Sequence, residues 1–216
     1  MKETTAKKKF MWNMAGSLCN SLSSMLLLII VNRISGESRG GFFALAYSTA
    51  QLLFSVGGFE IRPVQSTDIK NKFTFNQYFT SRMLNCIIML ICMIGYIVVN
   101  GYTGVEALTV FWILGYRMVE AVADVYSGLF QQRERIDISG KEMLMRSGIS
   151  TITFTIILWL TDNLLYAAMT LTLTSLVIML FYDLHMKKYF EPTPVHLEWK
   201  GILGIYNACW PLFVSS

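Results

Sequence analysis

The sequence predicts an all-α integral membrane protein, a six-helix transmembrane bundle followed by the start of a seventh span, and three observations predict it. Charged residues make up 15% of the 216, against about 25% in an ordinary soluble domain. Hydrophobic residues make up 54%, and the mean hydropathy is +0.48. A soluble chain of this size could not hide so much apolar surface. Six apolar runs, at 10–32, 41–61, 83–100, 107–130, 147–161 and 164–184, approach the roughly 20 residues that cross a hydrocarbon core of about 30 Å. A single span must satisfy its own backbone hydrogen bonds, so each run should be a helix. The alternating segments of about ten residues that a β-barrel needs are missing from the sequence.

The first run follows Lys7, Lys8 and Lys9 as a signal peptide would, but it is too long and shows no small-x-small cleavage site. Asn13, Ser17, Asn20 and Ser24 fall within roughly 60° of one another on its surface. Such a stripe either packs against a neighbouring helix or lines an aqueous cavity, and the two asparagines favour the cavity. The second run ends in SVGGFEIRP, where Gly57, Gly58 and Pro63 weaken the helix. Glu60 and Arg62 there are either snorkelled anchors or a gate at a cavity mouth. The fifth run is short, and residues 143–146 extend it. The Ser and Thr residues of the fifth and sixth runs suit back-bonding and packing. Asp183 and His185 close the sixth. A linker at 186–200 with Pro192 and Pro194 leads to 201–216, which begins a seventh span and stops. The expected organisation is a tail at 1–9, a six-helix lobe at 10–185, the linker, and a truncated span of a longer protein. All four cysteines lie in apolar runs without metal-ligand spacing, so core packing is expected of each.

With the N-terminus inside, fifteen of the eighteen Lys and Arg residues fall in cytoplasmic segments, namely the tail, 62–82, 131–146 and 185–200. Only Arg33 and Arg39 fall outside, and Arg117 is in a span. This bias orients both ends of the six-span unit towards the cytoplasm.

The fourth run carries the strongest functional signal. Arg117, Glu120 and Asp124 share a roughly 60° arc of one helix face. A charge at mid-membrane costs roughly 2.5–3.5 kcal/mol on insertion scales, so three on one stripe must face a bundle interior or a wet cavity. Arg117 and Glu120 can pair at i, i+3, which leaves a spare carboxylate. Unless another helix answers it, that carboxylate takes a proton or a cation, as Glu120 or Asp124 would in a proton- or sodium-coupled carrier. A static interhelical network is the alternative. Tyr116 flanks the stripe and could stack on a sugar, although packing accounts for it too. The sequence holds no Walker A motif, nucleophile elbow or metal-ligand cluster, which points away from an enzyme, a bound cofactor or ATP.

The segments KKKFMWNMAGSLCNSLSSMLLLIIVNRISG, GGFFALAYSTAQLLFSVGGFEIRPVQSTD and YRMVEAVADVYSGLFQQRERIDISGK resemble the first, second and fourth spans of bacterial polysaccharide-biosynthesis transporters. These are the O-antigen and capsule repeat-unit flippases of the multidrug/oligosaccharidyl-lipid/polysaccharide exporter superfamily. The resemblance implies the first lobe of a two-lobe, inverted-V carrier in the bacterial cytoplasmic membrane. Its cationic cavity would pass an undecaprenyl-pyrophosphate-linked oligosaccharide between leaflets. It further implies that Arg117 contacts the pyrophosphate or sugar, and the stripe residues Asn13 and Asn20 with the flanking Tyr116 complete the expected substrate-facing set. The implied partners are the lipid bilayer, the lipid-linked oligosaccharide and other polysaccharide assembly proteins, with no nucleic acid. A drug/cation antiporter of the same superfamily would prefer an acidic, aromatic cavity. A glycan polymerase or acyltransferase would need long outer loops or an intramembrane histidine.

Overall fold

The computed structural model describes residues 5–191 and 193–215, so Lys2 of the basic count and Pro192 of the linker lie outside the described residues. The described residues form helices joined by short turns. α1 spans Ala6–Gly58 and is bent at Gly36, whose φ of 83° suits a residue without a Cβ. Tyr47 donates to Ser24 at 3.0 Å, and Gly40 lies against Asn32. Both pairs are nearly equidistant from Gly36, so the two arms, 6–35 and 37–58, run antiparallel. The loop expected around residues 33–40 is thus a single-residue bend. Phe59 and Glu60, both with positive φ, separate α1 from the short α2 (Ile61–Thr67). Pro63 falls in the first turn of α2, where no backbone donor is lost.

α3 (Phe75–Val99) opens on a capping box between Thr74 and Gln77. α4 (Gly104–Gln132) and α5 (Ile136–Thr161) follow. α6 (Leu164–Ile178) runs through a wide π turn (Met179–Asp183) into α7 (Leu184–Lys187). α8 (Ile202–Ser215) packs against α3 and α2.

Four helical stretches, Ala6–Thr67, Phe75–Val99, Ile136–Thr161 and Leu164–Lys187, are long and apolar enough to cross a membrane. The first contains both arms of α1. α4, at 29 residues, has the length and carries the charged stripe. Each of the six apolar runs is therefore a helix, and the chain is a multi-pass, all-α membrane bundle. Outward-facing Leu22, Met25, Ile91, Val98, Ile152 and Trp159 form the apolar surface that such a bundle turns to lipid.

Two helices begin earlier than hydropathy predicts. α3 starts at residue 75 rather than 83, and α5 at 136 rather than 143. Arg82 and Arg146, counted among loop cations, are therefore buried helix residues. Arg62 lines a cavity as well and Lys187 is buried, so four of the fifteen cytoplasmic cations serve the interior. Cys86 and Cys209 are buried as expected, whereas Cys92 faces outward.

The interior is organised by α1 lying along α5. A Cβ on Gly16 would collide with the carbonyl of Gly140, and one on Gly140 with the backbone of Trp12. Only glycines permit this backbone approach, which is how membrane helices gain contact without a hydrophobic driving force. Leu27, Val31, Phe43, Met93, Ile113 and Phe154 fill the adjoining core.

Candidate functional site

The half of the bundle nearer α2 encloses a cavity of about 740 Å³. Both arms of α1 contribute to its wall, through Asn20, Ser24, Tyr47 and Gln51. α2 gives Arg62, α4 gives Arg117, Glu120 and Asp124, and α5 gives Arg146. The i, i+3, i+7 spacing of the α4 stripe places all three of its charges on this face.

The charges divide into two clusters. In the upper one, Arg117 forms an ion pair with Glu120, and its guanidinium lies 4.4 Å from the Tyr47 ring centroid and 5.5 Å from that of Tyr116. Asn20 donates to the other Glu120 oxygen at 3.0 Å, and Arg146 stands 3.9 Å from it. Arg146 in turn donates to Glu142 at 2.6 Å. In the lower one, Asp124 accepts from Arg62 and from Arg82, each at 2.9 Å. Arg82 is fully buried and also donates to the Gly57 carbonyl at 2.7 Å, which Asn85 shares. That carbonyl lies in the last turn of α1, so a guanidinium caps the negative end of the helix.

The spare carboxylate expected on α4 is therefore answered, because arginines of α2, α3 and α5 supply the countercharge. Among the charged residues lining the cavity, three arginines face two carboxylates. Burial keeps these pairs within a low-dielectric wall, where they act far more strongly than at the surface.

The sequence-derived residues are unevenly placed. Arg117, Asn20, Glu120 and Asp124 meet at the cavity. Tyr116 is buried behind it, under the Arg117 guanidinium, and does not line the wall. Asn13 also lies off the cavity, at the crossing of α1 with α5, because the two helical turns between it and Asn20 carry it into the Gly140 contact. Arg62 lines both this cavity and an adjoining one of about 400 Å³, of which Glu60 forms part of the wall. The two share Gln51, Phe54, Arg62 and Asp124.

Arg82, Glu142, Arg146 and Tyr47 are participants that sequence reasoning passed over. A signal existed for two of them: Glu142 and Arg146 stand at i, i+4 in KEMLMRSGIS, with Ser150 one turn on.

A family model described as polysaccharide biosynthesis protein matches residues 6–216. No curated protein and no solved structure matches the chain.

Proposed function

Because the chain belongs to the polysaccharide biosynthesis protein family, we propose that it is a carrier rather than an enzyme. It moves a lipid-linked oligosaccharide bearing a pyrophosphate across the bacterial cytoplasmic membrane, with the N-terminus on the cytoplasmic side. The observation that carries this reading is the cationic surplus of a roomy cavity between the arms of α1, α2, α4 and α5. A guanidinium grips a phosphate oxygen pair bidentately, as an ammonium does not. The Tyr47 face behind Arg117 holds that guanidinium flat, and Asn20, Ser24 and Gln51 supply neutral polar groups suited to sugar hydroxyls. The lining does not favour the drug/cation antiporter, which calls for an acidic surplus. The bilayer, the lipid-linked glycan and other assembly proteins are the partners this reading entails.

The test is complementation of surface polysaccharide export in a strain lacking its own carrier. Arg117→Ala should abolish export while membrane levels stay near normal, since Asn20 and Arg146 continue to hold Glu120. Arg117→Lys should restore export only in part. Full export by Arg117→Ala would refute the reading.

A further inference from the structure

Asp183 is 1% exposed, and among the described residues no hydrogen-bond donor reaches either of its carboxylate oxygens. It sits at the end of the π turn, in the buried row Leu171, Ser175, Met179, Asp183, Lys187. In a straight α-helix each step of four residues drifts by roughly 40°. A π turn takes more residues per revolution and removes that drift, so it keeps Asp183 aimed inward.

α5 presents a matching row of buried residues, Glu142, Arg146 and Ser150. The Thr153–Thr174 hydrogen bond, at 3.3 Å, sets the register of the α5–α6 hairpin. Residue 142 then lies about level with 185 and residue 150 with 177, which brings each within about half a turn of Asp183 and Ser175. Glu142 Oε2, Arg146 Nη1, Ser150 Oγ and Ser175 Oγ have no hydrogen-bond partner either. These unpartnered atoms lie on elements that pack against each other, α5 on one side and α6 with its π turn on the other.

An isolated ionised carboxylate buried this deeply is too costly to persist, and such a group takes a proton instead. Asp183 lies within electrostatic reach of Glu142 and Arg146. From α4 it meets Tyr126, and on its own turn Tyr182, around which Arg135 and Asp137 also act. Arg62 of α2 bears on Glu142. On α7, Lys187 donates to the Thr193 carbonyl and His185 is exposed beside Tyr189. Arg117 is bonded to Glu120 and Arg146 to Glu142. Asp183 alone among the three carboxylates has no arginine bonded to it.

We propose that Asp183, with Glu142 opposite, is a proton-binding site that governs Arg146: with the proton bound, the guanidinium is shared between Glu142 and Glu120 at the cavity wall, and with the proton released it is drawn towards Asp183. The consequence for the cavity rests on the transport reading; the site itself does not.

Infrared titration of the protein in lipid nanodiscs tests it. At neutral pH the wild type should show a protonated-carboxyl carbonyl band that is lost whole in Asp183→Asn, kept in Glu120→Gln and shifted in Asp183→Glu. Titrating that band should move the guanidinium band that Arg146→Lys removes. A band that survives in Asp183→Asn, or a guanidinium band indifferent to the titration, overturns the proposal. So does an Asp183→Asn protein that fails to fold, since the amide mimics the neutral acid. No substrate enters this measurement. A protein that titrates as expected yet exports normally with Arg117→Ala would refute the transport reading and leave this site standing.

Discussion

Replacing Asp124 with Asn removes one negative charge from between two arginines and changes little else in size. Arg82 has no solvent exposure and its side chain cannot swing to water. Removing one partner of a buried pair costs about 3–5 kcal/mol, because the other charge is left uncompensated. Arg62 keeps about a quarter of its side-chain surface (28%) and adds only about 0.2–1 kcal/mol. The Gly57 carbonyl still accepts from Arg82, which holds the loss to the lower end, about 3 kcal/mol. That is on the order of a hundredfold in the folded-to-unfolded ratio. Equilibrium unfolding in mixed micelles would measure it. The double variant Asp124→Leu, Arg82→Met should recover most of the stability, since apolar residues of similar volume often replace a buried pair at little loss. An Asp124→Asn protein within about 0.5 kcal/mol of wild type, the range of an ordinary surface change, would refute the account of Arg82 as a buried, pair-dependent cation.

Two further outcomes follow from other parts of the bundle. Gly140→Ala should destabilise by about 2 kcal/mol or more, because its new methyl meets Trp12 backbone. Gly148→Ala, with only the Cys19 sulfur at 3.6 Å, should be near neutral in the same unfolding assay. Single cysteines at Lys72 and Lys188 should react with a membrane-impermeant thiol reagent only from the cytoplasmic face, and cysteines at Arg39 and Glu106 only from outside. All four positions are exposed. Labelling of Lys72→Cys from the periplasm would reverse the orientation.

The sequence disclosed the six spans and the charged stripe because both are written in a single period, that of the helix. It did not disclose the arginines that answer the stripe. Hydropathy opens a span at the first sustained apolar run, whereas a helix opens where its first donors are capped. At α3 that point is the Thr74–Gln77 capping box, which opens nine residues before Met83, and the difference turned Arg82 from a core residue into a loop cation. Arg146 lies in the 143–146 extension of the fifth run, and its pairing depends on Glu142, one turn before that extension. The Gly36 bend was legible only as a short turn. Its compression to one residue depends on a backbone angle, which leaves no mark beyond the glycine itself. Tyr47 was invisible for a different reason, since its place under Arg117 is set by the pairing of two arms and by nothing local.

The close contact of α1 with α5 has a bearing on biogenesis. Cys19 approaches Leu144, a partner 125 residues later in the chain. At roughly 5–20 residues per second, the ribosome makes that stretch in on the order of 10 s. For most of that interval the first arm is already made, with Asn20 lacking Glu120 until residue 120 is added and Gly16 lacking Gly140 until residue 140 is added. The nascent arm thus needs an interim host for its polar flank, at the insertion machinery or at the second arm delivered by the Gly36 bend. Slowing translation between residues 58 and 136 should lengthen this exposed period and lower the yield of inserted protein more than a slowdown placed after residue 161.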